Sequence, residues 1–177
     1  MQGAEIAKRR DYRGRKDGGG GNFEMAAASD RRYSAAVSGR IFRYIYRVVY
    51  ADCTVGNHIY YSRYLDILEA ARGEFFRELG LPLLGLQAED TIFPVVECHL
   101  RYKSPARYDD VLTTELWTTL VQGARLNFGF RILKDEKILI LEGETFHVCT
   151  GLNEKPKRVP ETLITELNNF LTTDEHG

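Results

Sequence analysis

One stretch of the sequence, SRYLDILEAARGEFFRELG, has the period of an α-helix, and the segments on either side of it do not. From Tyr64 to Leu79 its apolar residues recur at helical spacing, which places them in one broad stripe. Gly80 is a suitable C-terminal stop, and Pro82 follows it. A single long helix in the middle of a chain needs a partner for this stripe, and a sheet that curls around the helix supplies one.

The segments around this helix alternate between apolar and polar residues, as half-buried strands do. The segment RIFRYIYRVVY precedes the helix, and the apolar or aromatic residues on its buried face are Phe42, Tyr44, Tyr46, Val48 and Tyr50. After a loop come four more strand segments, FPVVECHLRYKSP, VLTTELWTTLVQ, RLNFGFRIL and ILILEGETFHVCTGL. A short amphipathic helix from about Pro160 to Leu171 closes the chain. This order predicts an α+β fold with a five-stranded antiparallel sheet around one long helix.

Composition limits the kinds of partner. The chain has 177 residues, of which 44% are hydrophobic, and this suits one globular domain. A net charge of −1 favours neither nucleic acid nor an anionic membrane, and no apolar run approaches the roughly 20 residues of a membrane helix. Cys53, Cys98 and Cys149 are far apart and lack the spacing of a metal or redox site. They predict free thiols and a cytoplasmic protein.

Residues 1 to 39 differ from the rest in composition. The run KRRDYRGRKDGGGGNFEM is basic and rich in glycine, with little to bury, so we expect a disordered tail before a domain of residues 40–177. A solvated tail is the simpler interpretation of these basic residues, and contact with nucleic acid or lipid is the alternative.

Two motifs connect the predicted elements to a known family. The first runs from Tyr50 to Phe76 and contains YADC, a loop and YSRYLDILEAARGEFF, and the second is RYKSPARYDD, from Arg101 to Asp110. Together they resemble the 4-hydroxybenzoyl-CoA thioesterase and acyl-CoA thioester hydrolase family over roughly Ile41 to Pro160. The resemblance implies the hotdog fold, a sheet wrapped around one central helix. It also implies acyl-CoA hydrolysis without a metal or organic cofactor, in a homodimer often doubled to a homotetramer, with active sites at the dimer interface.

The loop YADCTVGNHIYYSRY departs from the pattern of this family at two positions. The family typically has Asp-Thr-Asp here, the second Asp being the catalytic carboxylate, and a His further on. These positions fall on Thr54 and Tyr61. Thioester hydrolysis needs a group that attacks the carbonyl or activates water, and donors for the developing oxyanion. The N–H groups from Ile59 to Tyr64 lie at the helix entrance and are placed for the second task.

Loop residues are candidates for the first task. Asn57 and His58 resemble part of the Asn-Gln-His-Val-Asn-Asn segment of acyl-carrier-protein thioesterases, which use a loop His. A neutral imidazole is a base near pH 7, and a His bonded to backbone at a helix start is the alternative. Asp52 matches the family's first Asp, which usually accepts hydrogen bonds from loop N–H groups. The hydroxyl of Thr54 is able to orient a water but is a poor base without a partner.

Glu69, on the long helix, is a further candidate, because some hotdog thioesterases and dehydratases place their carboxylate on this helix. An ion pair with Arg72, three residues later, is the alternative. Three functions stay open: an acyl-CoA thioesterase, a protein that binds an acyl-CoA or acyl-carrier thioester without hydrolysis, and a hydratase or dehydratase that uses His58 with Glu69. The Asp-x-Asn-Pro-x-His loop of hydratases is absent, since Val55-Gly56-Asn57 stands there.

Basic and aromatic residues are the expected substrate contacts. The candidates for the phosphates of CoA are Arg101, Lys103, Arg107 and Arg125, with solvated strand-edge charges as the alternative. The residues expected to line the entrance and the acyl pocket are Ile59, Tyr60, Tyr61, Tyr64, Phe75 and Phe76. Such a pocket allows aromatic or medium-chain acyl groups. His99 and His147 lie in strands, and we interpret them as structural.

Overall fold

The structure is a computed structural model and describes residues 40–172, so the tail predicted for residues 1–39 lies outside the described part. The strands are β1 (Phe42–Arg47), β2 (Val95–Tyr102), β3 (Val111–Gln122), β4 (Arg125–Lys134) and β5 (Ile138–Val148). The α-helices are α1 (Arg63–Glu78), α2 (Leu83–Ala88) and α3 (Glu161–Thr172), and a single 3₁₀ turn covers Tyr50–Asp52. Both helices expected from the sequence lie within a few residues of their predicted bounds.

The strands form one antiparallel sheet in the order β1-β3-β4-β5-β2, which leaves β1 and β2 at the edges. One face of the sheet packs against α1, as the apolar stripe of that helix requires. The predicted five-stranded sheet around one long helix is therefore confirmed. Among residues 40–172, no helix is long and apolar enough to cross a membrane.

The segment between α1 and β2 was expected to be a loop, and this expectation was wrong. It contains the short helix α2, with Pro82 at its N-cap and Leu86 buried against the core. Proline suits the start of a helix because its φ is already close to the helical value. Burial of Leu86 stabilises a helix of six residues, which is too short to show a clear period in the sequence.

Aromatic rings fix α1 between the sheet and α3. The ring centroid of Phe75 lies 6.0 Å from that of Phe128 on β4 and 5.1 Å from that of Phe170 on α3. Phe76 also contacts Phe128, at 6.2 Å. Phe75 and Phe76 are fully buried, so truncating either would cost about 3–5 kcal/mol of stability. Their burial corrects the expectation that they line an acyl pocket.

The face of the sheet that points away from α1 carries a row of alternating charges, one from each strand. Its members lie directly opposite one another and are Arg43, Glu115, Arg131, Glu142 and Arg101. The carboxylate of Glu115 is buried and accepts hydrogen bonds from Arg43 Nε, at 3.2 Å, and from Arg131 Nε. Opposite charges at directly facing positions stabilise strand pairing.

Strand β2 has a bulge near its beginning. Val95 pairs with His147 and Glu97 pairs with Phe146, so Val96 is an extra residue without a partner in the ladder. Strict alternation would place Val96 with Cys98 on the inner face. The bulge instead places Val95 and Cys98 there, and both line the cavity described next.

Candidate active site

Two cavities lie between α1 and the edge strand β2. The first, here called the loop cleft, has a volume of about 300 Å³ and is lined by His58, Ile59, Tyr61, Tyr64, Tyr102, Lys103, Ser104 and Pro105. The second, here called the helix cavity, has a volume of about 370 Å³ and is lined by Leu65, Leu68, Glu69, Arg72, Val95, Cys98, Leu116, Phe130, Thr145 and His147. The two cavities share no lining residue.

The loop before α1 is anchored by Asp52. Its carboxylate is buried and accepts hydrogen bonds from Tyr46 Oη at 2.7 Å and from the N–H of Val49 at 2.9 Å. Burial and the bond to this carboxylate raise the pKa of Tyr46 to about 12. The main-chain carbonyl of Asp52 also accepts from the N–H of Tyr60, at 2.9 Å. The carboxylate of Asp52 thus stabilises the loop, and Asp52 lines neither cavity.

Asn57 and Thr54 shape the turn in this loop. Asn57 has φ 54°, a left-handed conformation that Asn tolerates better than most residues. Its side-chain oxygen accepts a hydrogen bond from the N–H of Tyr108 at 3.1 Å, which ties the loop to the chain before β3. The hydroxyl of Thr54 donates to the carbonyl of His58 at 3.3 Å. Neither side chain lines a cavity.

His58 lines the loop cleft, as expected for a functional residue, and its side chain is exposed. Within residues 40–172 its imidazole has no hydrogen bond, and no carboxylate orients it. The alternative of a His bonded to backbone is therefore not what the described residues show. A general base is usually held by a second group, and the described residues provide none for His58.

The start of α1 offers main-chain donors. Of the N–H groups from Ile59 to Ser62, that of Ile59 donates to the carbonyl of Ala106 at 3.0 Å and that of Tyr60 donates to Asp52. The N–H groups of Tyr61 and Ser62 have no acceptor among the described residues. Free donors at a helix N-terminus favour an anion or an oxyanion there. Within Ile59–Ser62 the available donors are the N–H groups of Tyr61 and Ser62, which are fewer than the sequence suggested.

Glu69 and Arg72 lie one turn apart on α1 and both line the helix cavity. The expected ion pair between them is absent: across the described chain, neither side chain has a carboxylate–guanidinium contact within 4.0 Å. Arg72 Nη1 instead donates to His147 Nδ1 at 2.7 Å and to the carbonyl of Phe93 at 3.4 Å. Burial lowers the pKa of Arg72, and the charge of Glu69 partly opposes this.

His147 is held neutral by its neighbours. A guanidinium only donates, so His147 Nδ1 accepts, and Nε2 carries the proton that is donated to Thr145 Oγ1 at 3.0 Å. Burial and the adjacent charge of Arg72 lower the pKa of His147 to about 4. We interpreted His147 as structural from the sequence, but it lines the helix cavity. The alternation in β5, which puts Thr145 and His147 on the same face, was the available signal.

The basic residues expected at CoA separate into different places. Lys103 lines the loop cleft and forms an ion pair with Glu142 at 3.1 Å, and Arg107 is exposed beside the loop that contains Asn57. Arg101 lies on the outer face, also paired with Glu142, at 3.4 Å. Arg125 pairs with Val148, at the opposite end of β5 from the residues next to Lys103. The structure therefore does not bring Arg125 together with the other three.

Three tyrosines at the entrance have different roles. Tyr64 is buried, and its hydroxyl accepts from the N–H of Ala106 at 3.4 Å. Tyr61 lines the loop cleft, whereas Tyr60 lines neither cavity and packs its ring 4.6 Å from that of Tyr61.

In the part of the chain that is described, no group of three His, Cys, Asp or Glu side chains is arranged to hold a metal ion.

Comparison with known proteins identifies the family. The model of the thioesterase-like superfamily matches residues 48–167. The chain belongs to this superfamily. The acyl-CoA thioester hydrolase YbgC of Escherichia coli is 34% identical over 127 residues, covering 71% of this chain and 95% of that protein. The acyl-CoA thioesterase YbgC of Haemophilus influenzae is 32% identical, over 68% of this chain and 89% of its own length. A hypothetical protein from Thermus thermophilus, 31% identical, superposes with a TM-score of 0.68 over 72% of this chain and 98% of that one.

Membership of the thioesterase-like superfamily confirms the resemblance seen in the sequence and leaves its catalytic group to be assigned. Thr54, at the position of the expected Asp, is exposed and donates to a main-chain carbonyl. Tyr61, at the position of the expected His, contributes a free N–H group at the start of α1. Glu69 lines the helix cavity and forms no ion pair within residues 40–172, so its carboxylate is the candidate catalytic group there.

Proposed function

We propose that this protein hydrolyses the thioester bond of an acyl-CoA to a free acid and CoA, without a metal or organic cofactor. Its membership of the thioesterase-like superfamily and its similarity to acyl-CoA thioester hydrolases support the reaction class. A site between α1 and β2 supports it further, because both cavities lie there. Ligand pockets of this size, largely apolar with a few polar groups, are typical of small-molecule sites.

The observation that carries the proposal is a carboxylate on α1 together with two free N–H groups, those of Tyr61 and Ser62, immediately before the first residue of that helix. Glu69 lies seven residues after Ser62, which corresponds to about 10 Å along α1. Long side chains on a helix lean toward its N-terminus, so the carboxylate of Glu69 reaches back over about one turn. The distance that remains lies between this carboxylate and the N–H groups of Tyr61 and Ser62. A thioester carbonyl bound at these N–H groups, together with one water beside Glu69, would fill it.

These groups support a direct attack by water. Glu69 accepts a proton from the water as its oxygen bonds to the carbonyl carbon. The negative charge that develops on the carbonyl oxygen is stabilised by the N–H groups of Tyr61 and Ser62 and by the dipole of α1. The carbonyl then re-forms as the C–S bond breaks, and the departing thiolate takes up the proton held by Glu69. His58, at the loop cleft, is the second candidate for the base.

We further propose that the protein is a homodimer joined along β2. This strand is at the edge of the sheet, and Val95 and Val96 are 51% and 63% exposed at its beginning. An unpaired edge offers free N–H and C=O groups to another strand. The helix cavity includes residues near the beginning of β2, and the loop cleft includes residues at its end. Antiparallel pairing of two β2 strands would therefore bring the loop cleft of one copy close to the helix cavity of the other.

Light scattering of the purified protein tests the dimer. A mass of two chains is expected, a mass of four fits two such dimers in a homotetramer, and a monomer contradicts the proposal. Val96→Lys places a charge at the proposed seam and is expected to give monomers with lower activity. We also infer a cytoplasmic location, since Cys53, Cys98 and Cys149 are free thiols, as is usual in a reducing compartment.

Thiol release from a panel of acyl-CoA esters tests the reaction. Wild-type protein is expected to release thiol from at least one ester, and Glu69→Gln is expected to lower kcat about 100-fold. A loss below about tenfold, or roughly 1.4 kcal/mol of barrier, would remove Glu69 from a chemical role. His58→Ala is measured beside it and decides between the two candidate bases in the same way.

Glu74→Gln is the matched control, because Glu74 is also on α1 but forms an exposed ion pair with Arg77, at 2.5 Å. Its activity should stay within about twofold of wild type.

Calorimetry with the same esters tests the rival function, which is thioester binding without hydrolysis. Tight binding without thiol release from any ester would support a thioester-binding protein and overturn the hydrolase.

A further inference from the structure

The helix cavity contains a cation, Arg72, that has no direct ion pair within residues 40–172. Arg72 is half-buried on its wall, and within residues 40–172 no carboxylate lies within 4.0 Å of its guanidinium. His147, the nearest polar partner, accepts a hydrogen bond but carries no negative charge. A guanidinium removed from water without an anionic partner is costly, so such groups commonly bind one from a ligand.

Two nitrogen atoms of the Arg72 guanidinium remain available for hydrogen bonds to a ligand. The known hydrogen bonds use Nη1 alone, toward His147 and the carbonyl of Phe93. The Nε and Nη2 groups have no acceptor among the described residues, and neither is a fully buried atom without a partner. Each of these atoms therefore keeps some accessible surface, and on the wall of the helix cavity a planar guanidinium edge suits the two oxygens of a carboxylate.

The remaining wall of the helix cavity is mainly apolar. Its aliphatic and aromatic members are Leu65, Leu68, Val95, Leu116 and Phe130. A group that fills the cavity therefore needs a short hydrocarbon segment and a charged oxygen at one end. Neutral acyl chains satisfy the first requirement and give Arg72 no anionic partner.

Helix geometry gives the length of that segment. Arg72 follows Glu69 by three residues, which is about 4.5 Å along α1. If the thioester carbonyl is beside the water held by Glu69, an atom about four carbon–carbon bonds further along lies level with Arg72. An acyl chain of about five carbons meets this condition.

We propose that the preferred substrate is the CoA monothioester of a short dicarboxylic acid, whose free carboxylate binds Arg72. The bond between Arg72 and His147 keeps the guanidinium on the cavity wall in the orientation that receives this carboxylate. This inference rests on the proposed hydrolase function and adds the class of acyl group to it.

The test compares two esters that differ only at the far end, glutaryl-CoA and pentanoyl-CoA. Wild-type protein is expected to favour glutaryl-CoA in kcat/KM by about tenfold or more. In Arg72→Gln this preference is expected to fall at least about tenfold, toward equality. Equal kcat/KM values in the wild type, or a preference for pentanoyl-CoA, would overturn the proposal without need of a variant.

Arg77→Gln is the matched control, since Arg77 is on the exposed side of the same helix and pairs with Glu74. Its glutaryl-to-pentanoyl ratio should equal that of wild type. Thermal unfolding shows whether Arg72→Gln is folded. If neither of these two esters is hydrolysed while another ester of the panel is, the dicarboxylate proposal fails and the hydrolase proposal stands. If no ester of the panel is hydrolysed, the hydrolase proposal fails, and calorimetric binding of the two esters to wild type still decides whether the cavity prefers a carboxylate.

Discussion

The hydroxyl of Tyr102 donates a hydrogen bond to the main-chain carbonyl of Tyr61 at 2.9 Å. That carbonyl is in the same planar peptide unit as the N–H of Ser62. A side chain at the end of β2 thus fixes the orientation of a peptide that presents a free donor at the start of α1. Tyr102 is therefore a positioning residue for the proposed oxyanion site.

Removing this hydroxyl tests the positioning role. Tyr102→Phe is expected to lower kcat about tenfold with a smaller change in KM, because the donor is loosened rather than deleted. Steady-state thiol release measures both constants. Tyr108→Phe is the control, since the hydroxyl of Tyr108 has no hydrogen bond within the described range. An equal effect of the two variants would contradict the role.

The neutral state of His147 makes stability depend on pH. Its pKa is about 4 in the folded protein and close to 6.5 when unfolded, so between these values the unfolded chain binds more protons. The free energy of unfolding should therefore fall by about 2 kcal/mol from pH 7 to pH 5 through this residue. Urea titrations of wild type and His147→Gln measure it. The same pH dependence in both proteins would refute the assignment.

Glu115 is expected to stabilise the sheet through its two arginine neighbours. Its side chain is 5% exposed, whereas those of Arg43 and Arg131 are 57% and 46% exposed. Glu115→Gln should lower the free energy of unfolding by about 2 kcal/mol, because a buried carboxylate with two charged donors is lost. Glu97→Gln, which alters an exposed pair with His99, should change it by less than about 0.5 kcal/mol. Chemical denaturation of both variants checks the contrast.

Gly129 is required by the indole of Trp117. A Cβ at Gly129 would lie 2.5 Å from Trp117 Nε1, so Gly129→Ala is expected to displace the ring and destabilise the protein by about 2 kcal/mol. Trp117 is the one tryptophan in the sequence, so its fluorescence reports the displacement directly. Gly73→Ala, in α1 with its nearest neighbour at 3.9 Å, should instead stabilise by up to about 1 kcal/mol. Unchanged emission in Gly129→Ala would be the contrary result.

Local periodicity was enough to predict the fold. The alternation of Phe42, Tyr44 and Tyr46 and the stripe of α1 depend on neighbours a few residues apart, and the structure confirms both elements. The expectation for Tyr50 was wrong, because β1 ends at Arg47 and the side chain of Tyr50 is exposed. The short helix α2 was missed because six residues do not complete two turns. Phe75 and Phe76 were misplaced because an apolar stripe does not reveal which members face a cavity and which fill the core.

The candidate site was predictable in position and less so in composition. The loop before α1 is recognisable from its motif, and His58 does line a cleft. The contact between Arg72 and His147 joins residues 75 positions apart, so it depends on how α1 packs against β5. No local pattern encodes that packing. Arg125 shows the same limit, since its distance from Lys103 is set by the length of β5.

The bulge at Val96 gives β2 a residue that the ladder does not need. Deletion of one residue at this point would restore regular pairing and leave Val95 and Cys98 facing inward, whereas a deletion within the regular part of β2 would turn one side of the strand over. A deletion of one residue at the bulge is therefore expected to be tolerated at the rim of the helix cavity. Such a deletion would alter the size of that rim without rebuilding the sheet.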